Sequence, residues 1–157
     1  MLHGAQLAIQ IITWVLIIVG WVTVHSLTLT RERQKEIREL KSKLVKQILD
    51  VETRSISFHQ ASNYSRDESR SLVAEIERVS SAIARKPLSS LAIEPKVVTE
   101  FRRSITLKNF DQSIFSSQSA DSRLLNDISL CTETLTNALE EAYGNRYLNA
   151  WWQAFRV

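Results

Sequence analysis

Residues 7–29 read LAIQIITWVLIIVGWVTVHSLTL and contain no Asp, Glu, Lys or Arg. With a rise of about 1.5 Å per residue, a helix of this length extends roughly 34 Å, enough to cross a hydrocarbon core of about 30 Å. A cleaved signal peptide would need a basic segment before the apolar run and a small-residue cleavage site after it, and the flanks MLHGAQ and HSLTLTRER have neither. We therefore predict a membrane-spanning helix over 7–29, preceded by a short tail, 1–6.

The segment that follows the span is strongly basic. Between Arg31 and Lys46 there are seven Lys or Arg and three Glu, so this segment accounts for the positive net charge of the chain, which is +3. Basic flanks of a span stay on the cytoplasmic side and attract anionic phospholipids. We therefore predict a single-pass protein of the inner (cytoplasmic) membrane, with its N-terminus outside and its C-terminal domain in the cytoplasm. We expect no binding to double-stranded nucleic acid.

Four polar or small residues within the span share one stripe of a helix. They recur at spacings of three and seven residues and are Gln10, Thr13, Gly20 and Thr23. Small and hydroxyl side chains let transmembrane helices approach closely, and a buried amide can hydrogen-bond to a neighbouring helix. The stripe therefore predicts association between spans. A passive anchor that merely tolerates these residues is the alternative.

The sequence after the span has the apolar periodicity of α-helices. A near-heptad seam predicts a juxtamembrane helix over 30–62 that continues from the span without a break. Ser65 and Glu68 have the spacing of a capping box and predict the start of a second helix, which should end before Pro87. Pro95 has the position of a first helical residue and predicts the start of a third helix.

A fourth helix is predicted from about Asp121 to the helix-stop signal at Gly144, with Cys131 on its buried face. The polar segment 116–119 before it is expected to be a mobile linker. No alternating strand pattern occurs. The fold class is therefore all-α: one N-terminal transmembrane helix, then a small cytoplasmic helical bundle of about four helices, with the cytoplasmic helical domain at 63–157.

The composition argues against an enzyme. The chain has three Gly and no glycine-rich phosphate loop, and its single cysteine excludes an intramolecular disulfide and a thiolate zinc site. His59 is the only histidine after the span, and no second metal ligand lies three or four residues away. We therefore expect no catalytic residue, no metal and no cofactor.

Aromatic and basic residues are concentrated in the C-terminal tail, 146–157, and a second basic cluster lies in the third predicted helix. Aromatic faces stack with nucleobases, arginine binds phosphate and asparagine can contact base edges. The candidate ligand-binding residues are Arg102, Arg103, Lys108, Asn109, Arg146, Tyr147, Asn149, Trp151, Trp152 and Arg156. Two other interpretations of the tail remain open: a helix that packs on the core or in an oligomer, and a helix on the membrane surface.

The seam, the stripe in the span and the aromatic tail need more partners than one chain supplies, so we expect a symmetric homo-oligomer, from dimer to tetramer. The plan of one N-terminal span and a small all-α cytoplasmic domain resembles a membrane effector family of type III CRISPR systems. The residues that would provide phosphate and base contacts in such a protein are Arg102, Arg103, Trp151, Trp152 and Arg156. The resemblance implies a cyclic tetra-adenylate ligand, a tetramer and disturbance of the membrane in antiviral defence.

Two functional hypotheses follow from the sequence. In the first, the protein is an oligomeric sensor and effector. Its domain binds a nucleotide second messenger, such as cyclic oligoadenylate, and the helix that leaves the membrane passes the change to the span, which perturbs the membrane or opens a pore. In the alternative, the protein is a non-enzymatic structural or scaffold subunit of a membrane complex.

Overall fold

The computed structural model describes the backbone of residues 2–148 and the side chains of residue 10 and residues 12–147. This part of the chain consists of four α-helices and two short helical turns: α1 (Leu2–Gln60), α2 (Arg66–Ala84), a 3₁₀ turn (Leu88–Leu91), α3 (Pro95–Thr106), α4 (Arg123–Tyr143) and a π-helical turn (Gly144–Leu148). The predicted all-α fold class with about four helices is confirmed. The chain divides into two compact units, with the boundary between Ile37 and Arg38.

The first unit is the N-terminal part of α1. The apolar side chains from Ile12 to Leu29 are exposed, and Trp14, Leu16 and Trp21 expose 61%, 66% and 67% of their surface. An apolar 18-residue stretch of α1 has a mean hydropathy of 1.9, and α1 is the one helix in the described residues that is long and apolar enough to cross a membrane. The predicted span therefore coincides with a helix that has the required length and composition.

The stripe proposed for association between spans is open in the structure. Gln10, Thr13 and Gly20 are exposed, and a Cβ atom added at Gly20 meets no atom within 4 Å. Thr23 Oγ1 donates a hydrogen bond to Val19 O at 2.8 Å, so this hydroxyl is satisfied within its own helix. The stripe therefore has room for a neighbouring helix, and association between spans stays a prediction.

The core of the second unit is formed by one apolar face from each of the four helices. Burial of each Leu, Ile or Phe side chain contributes about 1.5–3 kcal/mol, which makes this core the main source of stability. The largest fully buried apolar side chains are Leu44, Ile48 and Val51 of α1, Leu72, Ile76 and Val79 of α2, Phe101 and Ile105 of α3, and Ile128, Leu135 and Leu139 of α4. The helix α3 packs along α4, and α2 contacts α3 and the 3₁₀ turn.

The predicted helix starts are confirmed at Ser65 and Pro95. Ser65 Oγ accepts a hydrogen bond from Glu68 N at 3.3 Å, and Pro95 is the first residue of α3. In a complete capping box the Glu68 carboxylate would accept a hydrogen bond from Ser65 N. Here it accepts hydrogen bonds from Arg54 Nε and Nη2, at 3.0 and 2.7 Å. Because Arg54 also pairs with Glu75, its guanidinium joins α1 to two turns of α2.

Two details of α4 differ from the prediction. Cys131, which the apolar pattern places on the buried face, is only partly buried. Gly144 ends the α-helix without adopting the left-handed conformation of a glycine cap, because its φ of −58° and ψ of −50° are right-handed. Its N–H donates to the carbonyls of both Glu140 and Glu141, and the backbone continues into the π-helical turn.

Candidate functional site

The ten residues predicted to contact a ligand do not form a single site in the described part of the chain. Arg102 Nη2 pairs with Glu77 Oε1 of α2 at 2.5 Å. Arg103 and Lys108 line a groove between α3 and α4. Arg146 Nη1 donates a hydrogen bond to a carbonyl of the 3₁₀ turn, Ser90 O, at 2.5 Å. Neighbours in the sequence therefore have different surroundings in the fold.

The beginning of the aromatic tail is attached to α4. The ring of Tyr147 lies 5.2 Å from the ring of Tyr143, and the Arg146 guanidinium lies 5.9 Å from the Tyr147 centroid. These contacts occupy both side chains within the chain. The remaining tail residues predicted to bind a ligand, Asn149, Trp151, Trp152 and Arg156, lie outside the described residues, and their role stays a prediction.

Asn109 holds the loop that follows α3. Its backbone is left-handed, with a φ of 54°, a conformation that asparagine adopts more readily than most residues. Its Oδ1 accepts a hydrogen bond from Ser116 N at 2.6 Å, and its Nδ2 donates to Ser116 O at 2.9 Å. The Nδ2 group also donates to His59 Nδ1 at 3.3 Å. The Asn109 amide is thus engaged inside the chain, although the sequence suggested a ligand contact.

His59 is a buried titratable residue near the end of α1. Its Nε2 lies 3.2 Å from Ile105 O. A carbonyl only accepts hydrogen bonds, so we place the ring hydrogen on Nε2, which leaves Nδ1 to accept from Asn109. Burial lowers the pKa of His59 below its ordinary value of 6.5, and the Ile105 carbonyl opposes this effect. The ring is therefore neutral at about pH 7.

The loop between α3 and α4 is fastened to the last turn of α1. Gln118 N donates to His59 O at 2.8 Å, and Ser117 Oγ donates to Gln60 O at 2.8 Å. The last carbonyls of an α-helix have no partner within the helix, and the loop satisfies two of them. Segment 116–119 is therefore not a free linker. We call the residues of this contact the α1 latch: His59, Gln60, Asn109 and residues 116–118.

A cavity of about 510 Å³ lies beside the α1 latch. We call it the loop cavity, and its lining residues are Tyr64, Arg66, Thr106, Leu107, Phe110, Asp111, Gln112 and Ile114. The ring of Phe110 lies 5.2 Å from that of Phe58 and 6.3 Å from that of His59. The ring of Tyr64 lies 5.8 Å from that of Phe58. The aromatic wall of the cavity therefore touches the end of α1.

The loop cavity combines two partly exposed rings, one arginine and one carboxylate. Arg66 is exposed and has no ion pair among the described residues. Asp111 Oδ1 accepts hydrogen bonds from Ser113 N and Oγ at 2.9 and 2.8 Å, and these bonds lower the pKa of Asp111. Rings can stack on a planar ligand, a guanidinium can bind phosphate, and a carboxylate can accept a hydrogen bond from an amine.

A second concave surface lies between α3 and α4 and has a volume of about 250 Å³. We call it the α3–α4 groove. Its apolar residues are Leu107, Leu124, Leu130 and Cys131, and its polar residues are Glu100, Arg103, Ser104, Lys108 and Asp127. Lys108 Nζ lies 3.8 Å from Asp127 Oδ2, and both side chains are exposed. No group of three or more metal-ligating residues occurs in the part of the chain that the structure describes.

The loop cavity is a candidate site that sequence reasoning missed. Its aromatic wall belongs to a cluster of Phe58, Tyr64, Phe110 and Phe115, in which four pairs of rings have centroids 5.2–5.8 Å apart. These are four of the five aromatic residues between residues 30 and 142. The sequence could have indicated this cluster, because its aromatic residues occur near predicted helix breaks rather than within the apolar repeats of the helices.

Comparisons of the chain with protein-family models, with curated proteins and with solved structures found no match. The functional proposal therefore depends on the candidate span, the α1 latch and the loop cavity.

Proposed function

We propose that this protein is a single-pass membrane-anchored sensor that binds a nucleotide second messenger in the loop cavity and passes the binding event to α1. The α1 latch is the observation that carries this proposal, because it joins the cavity wall to the last turn of the helix that contains the candidate span. A cyclic oligoadenylate is the first ligand to test, since it presents both adenines and phosphates. The N-terminus lies outside and the helical domain in the cytoplasm, in accordance with the basic flank.

The lining of the loop cavity offers a separate group for each part of such a ligand. Phe110 or Tyr64 stacks with an adenine, and base–aromatic stacking contributes about 1–3 kcal/mol per base. Arg66 binds a phosphate through charge-assisted hydrogen bonds. Asp111 accepts a hydrogen bond from the exocyclic amine of the adenine. The tail residues beyond 148 are proposed as additional contacts, as the sequence predicts.

The binding event reaches α1 through two kinds of contact. Phe110 touches the rings of Phe58 and His59, so a ligand that moves Phe110 acts directly on α1. A shift of Phe110 also acts on its neighbour Asn109, whose amide holds both His59 and Ser116. In an oligomer of two to four chains, the change in α1 perturbs the membrane or opens a pore, as the effector step of an antiviral response.

Titration of labelled cyclic oligoadenylates against the full chain in detergent micelles tests the ligand class. We expect saturable binding, and we expect Arg66→Glu to weaken it by at least about tenfold, because the substitution replaces a phosphate-binding group with a repelling charge. Arg103→Glu is the matched control, since it makes the same charge change on an exposed arginine outside the loop cavity.

The outcomes of this titration separate the hypotheses. Loss of binding in Arg103→Glu with binding retained in Arg66→Glu would move the ligand to the α3–α4 groove. Failure of the wild-type chain to bind any cyclic oligoadenylate would refute this ligand class and would favour the scaffold subunit instead.

Protease accessibility tests the proposed orientation. In spheroplasts with an intact inner membrane, the helical domain should resist an added protease, and in inverted membrane vesicles it should be digested. Digestion in intact spheroplasts would place the domain on the outer side and refute the orientation.

A further inference from the structure

We infer that the α3–α4 groove is a contact surface for a second copy of this chain. Leu107 and Leu130, which line it, expose 59% and 62% of their surface and are among the most exposed large apolar residues of the second unit. Single exposed apolar residues are ordinary, but a contiguous apolar surface rimmed by charges is typical of a protein contact. Ile114, exposed by 61%, extends this surface past Leu107 into the loop cavity.

The charges around the groove favour a copy of the same chain over other partners. The rim carries two cations, Arg103 and Lys108, and two carboxylates, Glu100 and Asp127. In a two-fold contact the same patch meets itself, so a patch with equal numbers of both signs can place each cation against a carboxylate of the partner. A partner of one sign, or an anionic membrane surface, would be repelled by half of this rim.

The rim charges are only weakly engaged within the chain. Arg103 has no ion pair among the described residues. The pairs Lys96–Glu100 and Lys108–Asp127 are long, at 3.9 and 3.8 Å, and both are exposed. These charged groups can therefore form ion pairs with a second copy, and the loss of their weak contacts within the chain costs the fold little.

The groove is lined by nine residues, fewer than the roughly 20–30 residues that each partner contributes to a standard interface. The contact is therefore expected to be weak between dissolved domains. The membrane anchor raises the effective concentration of one copy near another, and the inferred interface depends on the proposed function only through this anchor.

The chain provides its own reporter for the interface. Cys131 lines the groove and is the only cysteine in the sequence. In a two-fold contact through this groove, the Cys131 thiols of both copies lie at the same interface. A flexible bis-maleimide should therefore cross-link the wild-type full chain, reconstituted in liposomes without nucleotide, into a covalent dimer.

Three variants distinguish a specific contact from non-specific collisions. A relocated-thiol chain, which combines Cys131→Ala with Ala74→Cys, moves the thiol to an exposed position on α2 outside the groove, and it should give little dimer. Leu130→Glu should lower the Cys131 dimer yield by about tenfold, because burial of one leucine side chain corresponds to at least this factor. Leu49→Glu makes the same change at an exposed leucine outside the groove and should leave the yield unchanged.

Circular dichroism of each variant verifies that the helices are intact. Equal dimer yields from the wild-type and relocated-thiol chains, or an unchanged yield in a folded Leu130→Glu chain, would overturn the inferred interface. Nucleotide binding is absent from this assay, so its failure leaves the ligand proposal untouched.

Discussion

Replacement of Asn109 by alanine removes the side chain that holds the α3–α4 loop against the end of α1. The substitution eliminates the two hydrogen bonds with the main chain of Ser116, at 2.6 and 2.9 Å, and the longer one with His59, at 3.3 Å. It also places alanine, which has no polar side chain to compensate locally, at a φ of 54°. The variant therefore tests whether the α1 latch contributes to the stability of the domain.

The magnitude of the effect follows from these contacts. An intramolecular hydrogen bond contributes about 1 kcal/mol, and the long bond to His59 contributes less. Alanine in the left-handed conformation costs about 1 kcal/mol more. We therefore expect Asn109→Ala to lower the free energy of unfolding by about 3 kcal/mol, a large part of the roughly 5–15 kcal/mol that is typical of a small domain.

Urea unfolding of the full chain in a mild detergent, followed by near-ultraviolet circular dichroism, measures this change. Asn63→Ala is the matched control, because Asn63 is exposed and the structure records neither a positive φ nor a side-chain hydrogen bond for it. The control should change the free energy of unfolding by less than about 0.5 kcal/mol.

Glycine at position 109 separates the two contributions. Glycine adopts the left-handed conformation without strain, so Asn109→Gly should recover about 0.5–1 kcal/mol relative to Asn109→Ala while still lacking the hydrogen bonds. If Asn109→Ala is no more destabilising than Asn63→Ala, the latch contributes nothing to stability and the reasoning from its geometry is wrong.

Two further predictions concern α1, one near its C-terminal end and one in the span. Because burial lowers the pKa of His59, the unfolded chain takes up a proton at a higher pH than the folded chain; stability should be complete above the ordinary value of 6.5 and should fall as the pH drops below it. Urea midpoints at about pH 7.5 and about pH 5 should show this loss, and His59→Gln should reduce it. In the span, Gly20→Leu adds bulk where the single chain is open, so it should weaken association of spans by about 1 kcal/mol in a reporter assay, whereas Val19→Leu should not.

The helices could be predicted because their signals are local. The buried face of α1 repeats every three or four residues from Leu44 to Val51, and Ser65 and Pro95 define helix starts through their own backbone chemistry. Such patterns require no knowledge of what packs against them. The apolar span is likewise a property of one uninterrupted stretch.

The candidate site could not be predicted in the same way because its residues are distant in the sequence. The α1 latch joins His59 to Asn109 and to Ser116, and polar loop composition alone gives no sign of such contacts. The residues of the basic cluster are separated in the fold for a related reason. Adjacent residues on a helix point about 100° apart, so Arg102 reaches Glu77 of α2 while Arg103 lines the groove beside α4.

The proposed transmission from the loop cavity to α1 requires a coupling that a simple binding protein does not need. If the ligand favours one arrangement of the α1 latch, then loosening the latch must change ligand affinity, because the two equilibria are linked in both directions. Asn109 does not line the loop cavity, so direct loss of contact cannot explain such a change. In chains that remain folded, Asn109→Ala should therefore alter the affinity for the bound cyclic oligoadenylate, while Asn63→Ala should not. Equal affinities in the two variants would mean that ligand binding is not coupled to the α1 latch, and only the direct contacts of Phe110 with Phe58 and His59 would remain as a route to α1.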